Sequence, residues 1–147
     1  MLTLTKHSGD IFAAPDHTVL IHACNTQGRW GAGIAVSFKK DYPNAFKVYR
    51  AHCLSSAEPV QTGTCLLIEP CERGITPKHW IACLFTSAKY GRGKDAPDEI
   101  LRNTGVALRM CKINSGKFGV PWERTEMVLG RVGVKEGYRG AIEIWDR

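Results

Sequence analysis

The residues best suited to chemistry lie in one stretch, Asn25-Thr26-Gln27-Gly28-Arg29-Trp30-Gly31-Ala32-Gly33-Ile34-Ala35, which follows the apolar run Val19–Cys24. Glycines let backbone N–H groups approach an anion with no Cβ in the way. A helix opening at the end of such a loop adds its positive end to the same anion. Each charge-assisted hydrogen bond of this kind contributes about 1.5–3 kcal/mol. A second stretch, Asn114-Ser115-Gly116-Lys117-Phe118-Gly119-Val120-Pro121-Trp122, has the same design of strand, glycine-spaced turn and helix. Two such loops at the carboxyl ends of strands fit a diphosphate better than a single phosphate. Taken alone, either loop also reads as a plain tight turn. Two commoner phosphate motifs fail. Gly31-x-Gly33 is followed by Val36 where a dinucleotide fingerprint needs Gly or Ala, and Gly28 to Gly33 is followed by Ile34-Ala35 where a Walker loop needs Lys-Ser/Thr.

The elements that must position these loops follow from hydrophobic periodicity. Leu2, Leu4 and Lys6 alternate with Thr3 and Thr5, which predicts an edge strand ended by Ser8-Gly9-Asp10. Val19–Cys24 reads as a central strand covered on both faces. Ile34–Asp41 predicts a helix with Ile34, Ala35 and Phe38 inward, and Pro43 opens a second with Phe46 and Tyr49 inward. Thr64–Glu69 and Trp80–Thr86 read as strands joined by a turn-rich connector over Pro70–Lys78. Ser87–Asp95 is a basic loop, and Asp95 is placed to cap a helix from Pro97 to about Leu108. Met110–Asn114 is a short strand, Pro121 opens a helix with Trp122, Met127 and Val128 inward, and Ala141–Trp145 is a final strand. The order predicts a single α/β domain over residues 1–147, a three-layer α/β/α arrangement with a central mixed sheet. One joint is too tight. Helix-to-strand reversal takes about 2–6 residues, so either the helix ends early or a segment is absent between roughly Ala107 and Met110.

Composition narrows the class. The chain has 147 residues, 44% hydrophobic and 23% charged, which is globular rather than disordered. Its apolar runs are too short for a membrane span. A net charge of +6 favours polyanionic partners. The first ten residues hold no apolar leader-like segment, so a cytosolic or nuclear setting with reduced thiols is expected. Six cysteines stand at 24, 53, 65, 71, 83 and 111 with no CxxC pair and no ligand-type spacing with histidine, so no metal is expected. Cys65 and Cys83 read as buried thiols in strands.

Several segments together resemble the macrodomain family, the ADP-ribose-binding fold. They are Gly9-Asp10-Ile11-Phe12, Val19-Leu20-Ile21-His22-Ala23-Cys24-Asn25, Gly28-x-Trp30-Gly31-Ala32-Gly33-Ile34-Ala35, Cys83-Leu84-Phe85-Thr86-Ser87 and Ile113-Asn114-Ser115-Gly116-Lys117-Phe118-Gly119-Val120-Pro121-Trp122. Within the family the likeness is to the fungal ADP-ribose 1″-phosphate phosphatases, and more distantly to terminal ADP-ribose glycohydrolase-type macrodomains.

The resemblance implies roles. Asp10 would bind the adenine amino group, with a backbone contact from Ile11; Asp10 also suits a turn cap. Gly31, Ala32, Gly33, Ile34 and Ala35 would hold the distal ribose and a phosphate, and Ser115, Gly116, Lys117, Phe118 and Gly119 would wrap the diphosphate. Thr86, ending its strand, is a further ligand-binding position. Asn25 would hold the ribose hydroxyls beside the reacting C1″, or cap the glycine loop as an Asx-turn. His22 is either an acid/base acting on water or leaving group, or a core residue. The Lys–Asp pair of the glycohydrolase-type relatives is missing: Ser87-Ala88 follows Thr86, Lys89 is displaced, and Phe118 stands where the Asp would fall. Phe118 then reads as a lid on the ribose or a loop anchor. Tyr90, Arg92 and Lys94 form a basic loop able to meet a terminal phosphate or simply to be solvated, and Trp145 falls near adenine or in the core.

The expected activity is hydrolysis of ADP-ribose 1″-phosphate by a monomer, without cofactor or metal. The alternatives are an ADP-ribosyl-ester hydrolase acting on protein carboxylates or nucleic acid, and a non-catalytic ADP-ribose reader. A plain nucleic-acid module is disfavoured, because aromatics are not interleaved with Lys and Arg as a stacking platform.

Overall fold

The expected alternation of strands and helices is realised in a computed structural model that describes residues 3–55, 57–74, 78–102, 109–111, 119–131 and 141–146. The strands are β1 (Thr3–Ser8), β2 (Val19–Asn25), β3 (Cys65–Ile68), β4 (Trp80–Ser87), β5 (Arg109–Cys111) and β6 (Ala141–Asp146). The helices are α1 (Ile34–Asp41), α2 (Pro43–Ser55), α3 (Pro97–Arg102) and α4 (Trp122–Gly130), with short 3-10 turns at Ile11–Ala13 and Gly91–Gly93. The six strands form one sheet in the order β1-β6-β5-β2-β4-β3. β3 runs antiparallel to β4 and every other pairing is parallel, so the sheet is mixed. β1 and β3 are its edges.

Parallel neighbours put their carboxyl ends on one rim. β2 lies between β4 and β5, so the carboxyl ends of these three strands sit side by side on that rim. β2 and β4 are covered on both faces, hence their nearly continuous burial. On one face His22, Cys24, Cys83 and Phe85 meet an aromatic layer of Trp30, Phe38 and Tyr49 supplied by the glycine loop, α1 and α2. Ile100 of α3, Val120 just before α4 and Val128 of α4 form a second, smaller cluster.

Three local expectations change. Cys65 is exposed, because it opens an edge strand; Cys83, on the covered strand β4, is fully buried. Met127 faces solvent, while α4 turns Trp122 and Val128 inward as expected, together with Thr125 and Leu129. Asp95 does not point forward to cap α3. Its carboxylate accepts from the Ala88 backbone N–H at 3.0 Å, and its own N–H donates to the Ser87 hydroxyl at 3.0 Å, folding the basic loop back on itself. Helix α3 is described from Pro97 to Arg102; the expected continuation to about Leu108 and the tight joint to β5 lie outside the described residues. Among the described residues no helix is long and apolar enough to cross a membrane.

Candidate functional site

The loop after β2 is built around the Asn25 side chain. Its Oδ1 accepts from the backbone N–H groups of Gln27 at 3.0 Å and Arg29 at 3.3 Å, while Nδ2 donates to the Arg29 carbonyl at 2.7 Å. The amide thus closes the loop as an Asx-turn extended by one more bond. The β2–β4 register shifts between Cys24 and Asn25, with Thr86 the extra residue on β4, so Asn25 pairs with Ser87. Tyr49 and Arg50 of α2 brace the same loop. The Tyr49 hydroxyl donates to the Asn25 carbonyl at 2.7 Å, and Arg50 Nη1 donates to the Gly28 carbonyl at 3.1 Å. Gly28 has φ +71, and a Cβ there would stand 3.3 Å from Arg50 Cγ, so the close approach and the left-handed backbone both call for glycine.

Trp30 is the hydrophobic anchor of the loop. It is buried against Tyr49, ring centroids 5.0 Å apart and nearly parallel, and edge-on to His22 at 4.8 Å. With Trp30 pinned, Gly31, Ala32 and Gly33 stand exposed at the entrance to α1. A Cβ at Gly31 would meet nothing within 4 Å. Gly33 is the residue before α1, with φ 59 and ψ −144, and no side chain caps the helix. The first N–H groups of α1, from Ile34 and Ala35, therefore border an open rim. Thr26 ties this loop to the next by donating to the Ala88 carbonyl at 2.9 Å. Arg29 lies over the Tyr90 ring at 5.8 Å, which sets a cation and an aromatic face on that rim.

The remaining expected positions are distributed as follows. Asp10 accepts from the Phe12 N–H at 3.0 Å and so caps the 3-10 turn after β1; Ile11 beside it is buried in the core. Thr86 is fully buried at the end of β4. Gly119 is exposed with φ +68. Ser115, Gly116, Lys117 and Phe118 lie outside the described residues. Trp145 is half-buried, stacks on His7 at 4.8 Å and approaches the backbone at Gly9.

His22 is packed as the core alternative describes. Its exposure is 0%, its ring stacks on Phe38 at 4.1 Å, and Cys24 Sγ lies 3.6 Å from both ring nitrogens. Its contacts with Trp30 and Phe38 place the ring in the aromatic layer. It packs as a core histidine beneath the glycine loop.

The sequence spacing hides one grouping. His22, Cys24 and Cys83 are all buried, and their ligand-type atoms lie within 4.8 Å of one another. Burial alone would raise the Cys24 thiol. A hydrogen bond from Cys83 and the attraction and hydrogen bonding of His22 outweigh that and bring it down to about 5. Cys83 is pushed well up by burial and by its Cys24 neighbour. The signal was present only as residue types; cross-strand register made the group.

The profile of the Macro domain family matches residues 21–129, from the central strand to α4. The chain belongs to the Macro domain family. It is 41% identical to the "ADP-ribose 1''-phosphate phosphatase" of Chaetomium globosum, over 99% of this chain and 97% of that one. It is 34% identical to the protein of that name from Meyerozyma guilliermondii, over 88% and 93% of the two chains. Among solved macrodomain structures, that of Mycobacterium tuberculosis DarG superposes with a TM-score of 0.71 at 20% identity, covering 100% of this chain and 99% of that one. Thermosipho africanus DarTG in complex with ADP-ribose gives 0.66 at 16% identity, covering 96% of this chain and 41% of that one. The Chaetomium alignment runs over 179 residues against 147 here, so that relative carries stretches with no counterpart in this macrodomain.

Proposed function

We propose that this macrodomain is an ADP-ribose 1″-phosphate phosphatase. The observation that carries the reading is the near full-length identity to relatives bearing that name, 41% over 99% of the chain. In the reaction a water oxygen attacks phosphorus, the bond from phosphorus to the C1″ oxygen breaks, and that oxygen takes a proton. The products are ADP-ribose and inorganic phosphate.

The chain's own groups fit this chemistry without a general base from the core. The exposed Gly31–Gly33 turn and the open start of α1 supply N–H donors for a phosphoryl group, which disperse negative charge as it builds. Asn25 sets the shape of that turn from within, and Tyr49 and Arg50 hold it against α2. Arg29, over the Tyr90 ring, is a cation suited to the dianionic terminal phosphate. Asp10 is left for the adenine end and Ser115–Gly119 for the diphosphate, as the family resemblance implies.

Phosphorus NMR of ADP-ribose 1″-phosphate with metal-free protein tests the reading. Release of inorganic phosphate at catalytic protein concentration supports it. Perturbed diphosphate resonances without phosphate release would replace it with an ADP-ribosyl-ester hydrolase or a reader.

A further inference from the structure

Cys24, Cys83 and His22 form a closed group of soft ligands that the proposed phosphatase reaction does not use. His22 sits directly opposite Cys83 across the β2–β4 pairing, and Cys24 follows His22 on the same face, opposite Phe85. The two cysteines are therefore diagonal neighbours. Diagonal positions stand about 7–8 Å apart at Cα, beyond the reach of a disulfide without backbone movement. The group keeps its thiols free, yet all three ligand atoms fall within 4.8 Å of one another.

The spacing suits an ion between them. A tetrahedral centre with sulfur at about 2.3 Å and nitrogen at about 2.0 Å separates those atoms by about 3.5 Å. Cys24 Sγ stands 3.6 Å from the His22 nitrogens. The sulfur is equidistant from both nitrogens, so a turn of the imidazole about its Cβ–Cγ bond aims one of them at the centre. The Trp30 indole N–H is buried beside the group and lies close enough to the Cys24 sulfur to favour its thiolate form, and water or a small anion would complete a fourfold shell. Two thiolates and a neutral imidazole cancel the charge of a divalent ion, as burial requires. We propose that His22, Cys24 and Cys83 form a binding site for a thiophilic d10 cation of the zinc class beneath the glycine loop. The ion would join β2 to β4 one residue before Asn25. It would enter during folding, because Trp30, Phe38 and Tyr49 close over the group.

The full chain is refolded from reduced denatured protein with Zn2+ or with Cd2+, dialysed, and analysed for bound metal. About one equivalent per chain is expected, with a thiolate charge-transfer band for Cd2+. Cys24→Ala and Cys83→Ala should each lose the metal, while Cys65→Ser and Cys71→Ser keep it. If the alanine variants fail to fold, cadmium NMR of the unmodified chain decides, and a shift reporting two sulfur ligands is expected. A metal-free refolded chain, a shift reporting no sulfur, or metal lost only in the Cys65 and Cys71 variants would overturn the site. Phosphate release by the metal-free protein is read separately, so the two proposals fail independently.

Discussion

The Tyr49 hydroxyl on α2 donates to the main-chain carbonyl of Asn25 at 2.7 Å, and this bond fastens the glycine loop to the helical layer. The same hydroxyl lies 3.2 Å from Asn25 Oδ1, so strand end, side chain and helix meet at one point. Burial raises the Tyr49 phenol above its ordinary range, so the group stays a donor at any working pH. Tyr49→Phe removes the donor and leaves a buried carbonyl unsatisfied. It should cost about 1–3 kcal/mol of stability, read by urea denaturation, and weaken ADP-ribose binding, read by calorimetry.

Asn25 acts through the backbone it holds. Asn25→Ala removes an acceptor of two N–H bonds and a donor to Arg29. Turnover and ADP-ribose affinity should fall together. Asn25→Asp keeps the acceptor and should retain part of the affinity. A variant that bound ADP-ribose normally but did not turn over would instead place the amide on the reacting ribose.

His22→Phe should retain most of the phosphatase activity and an unchanged pH profile, because the ring is a buried stacking partner of Phe38. His22→Ala should destabilise by about 2–4 kcal/mol through the cavity it leaves. Loss of turnover in His22→Phe with full stability would restore a proton-transfer role.

Gly33 holds φ 59 and ψ −144, a region nearly closed to other residues. Gly33→Ala should cost about 1–3 kcal/mol in backbone strain. Part of that cost should be relieved by a shift of the loop, and ADP-ribose affinity should then drop by more than stability alone explains. Calorimetry and thermal melting of the same sample separate the two.

Native alkylation should divide the thiols. Cys24 and Cys83 are buried and should stay unmodified in metal-free folded protein, while Cys65 reacts. Burial raises the Cys53, Cys65 and Cys71 thiols above the ordinary value. Their thiolate fraction at pH 7 is then smaller than that of free cysteine. Labelling should be slower than for a free thiol, and should still be accelerating as pH rises through 9, followed by mass spectrometry.

Strands and helices were legible in the residues because their periodicity is local. Ile34–Asp41 and the helix starting at Pro43 were read at their observed starts, and the run Val19–Cys24 is the buried core of β2. The glycine loop was legible too, since Gly28 and Gly33 stand where the chain needs backbone angles that other side chains resist. Residue type alone did not decide where side chains point. Met127 faces solvent although its helix is amphipathic, and Cys65 is exposed although its strand is apolar, because edge position and helix rotation are set by neighbours distant in sequence. The placement of the His22 ring and of the Asn25 amide was set by distant partners, Phe38 for the ring and Tyr49 for the amide. The association of His22 with Cys83 spans a crossover that only the parallel pairing of β2 and β4 closes. Local order follows from the chain itself; contact between distant residues follows from register, which the packed sheet alone defines.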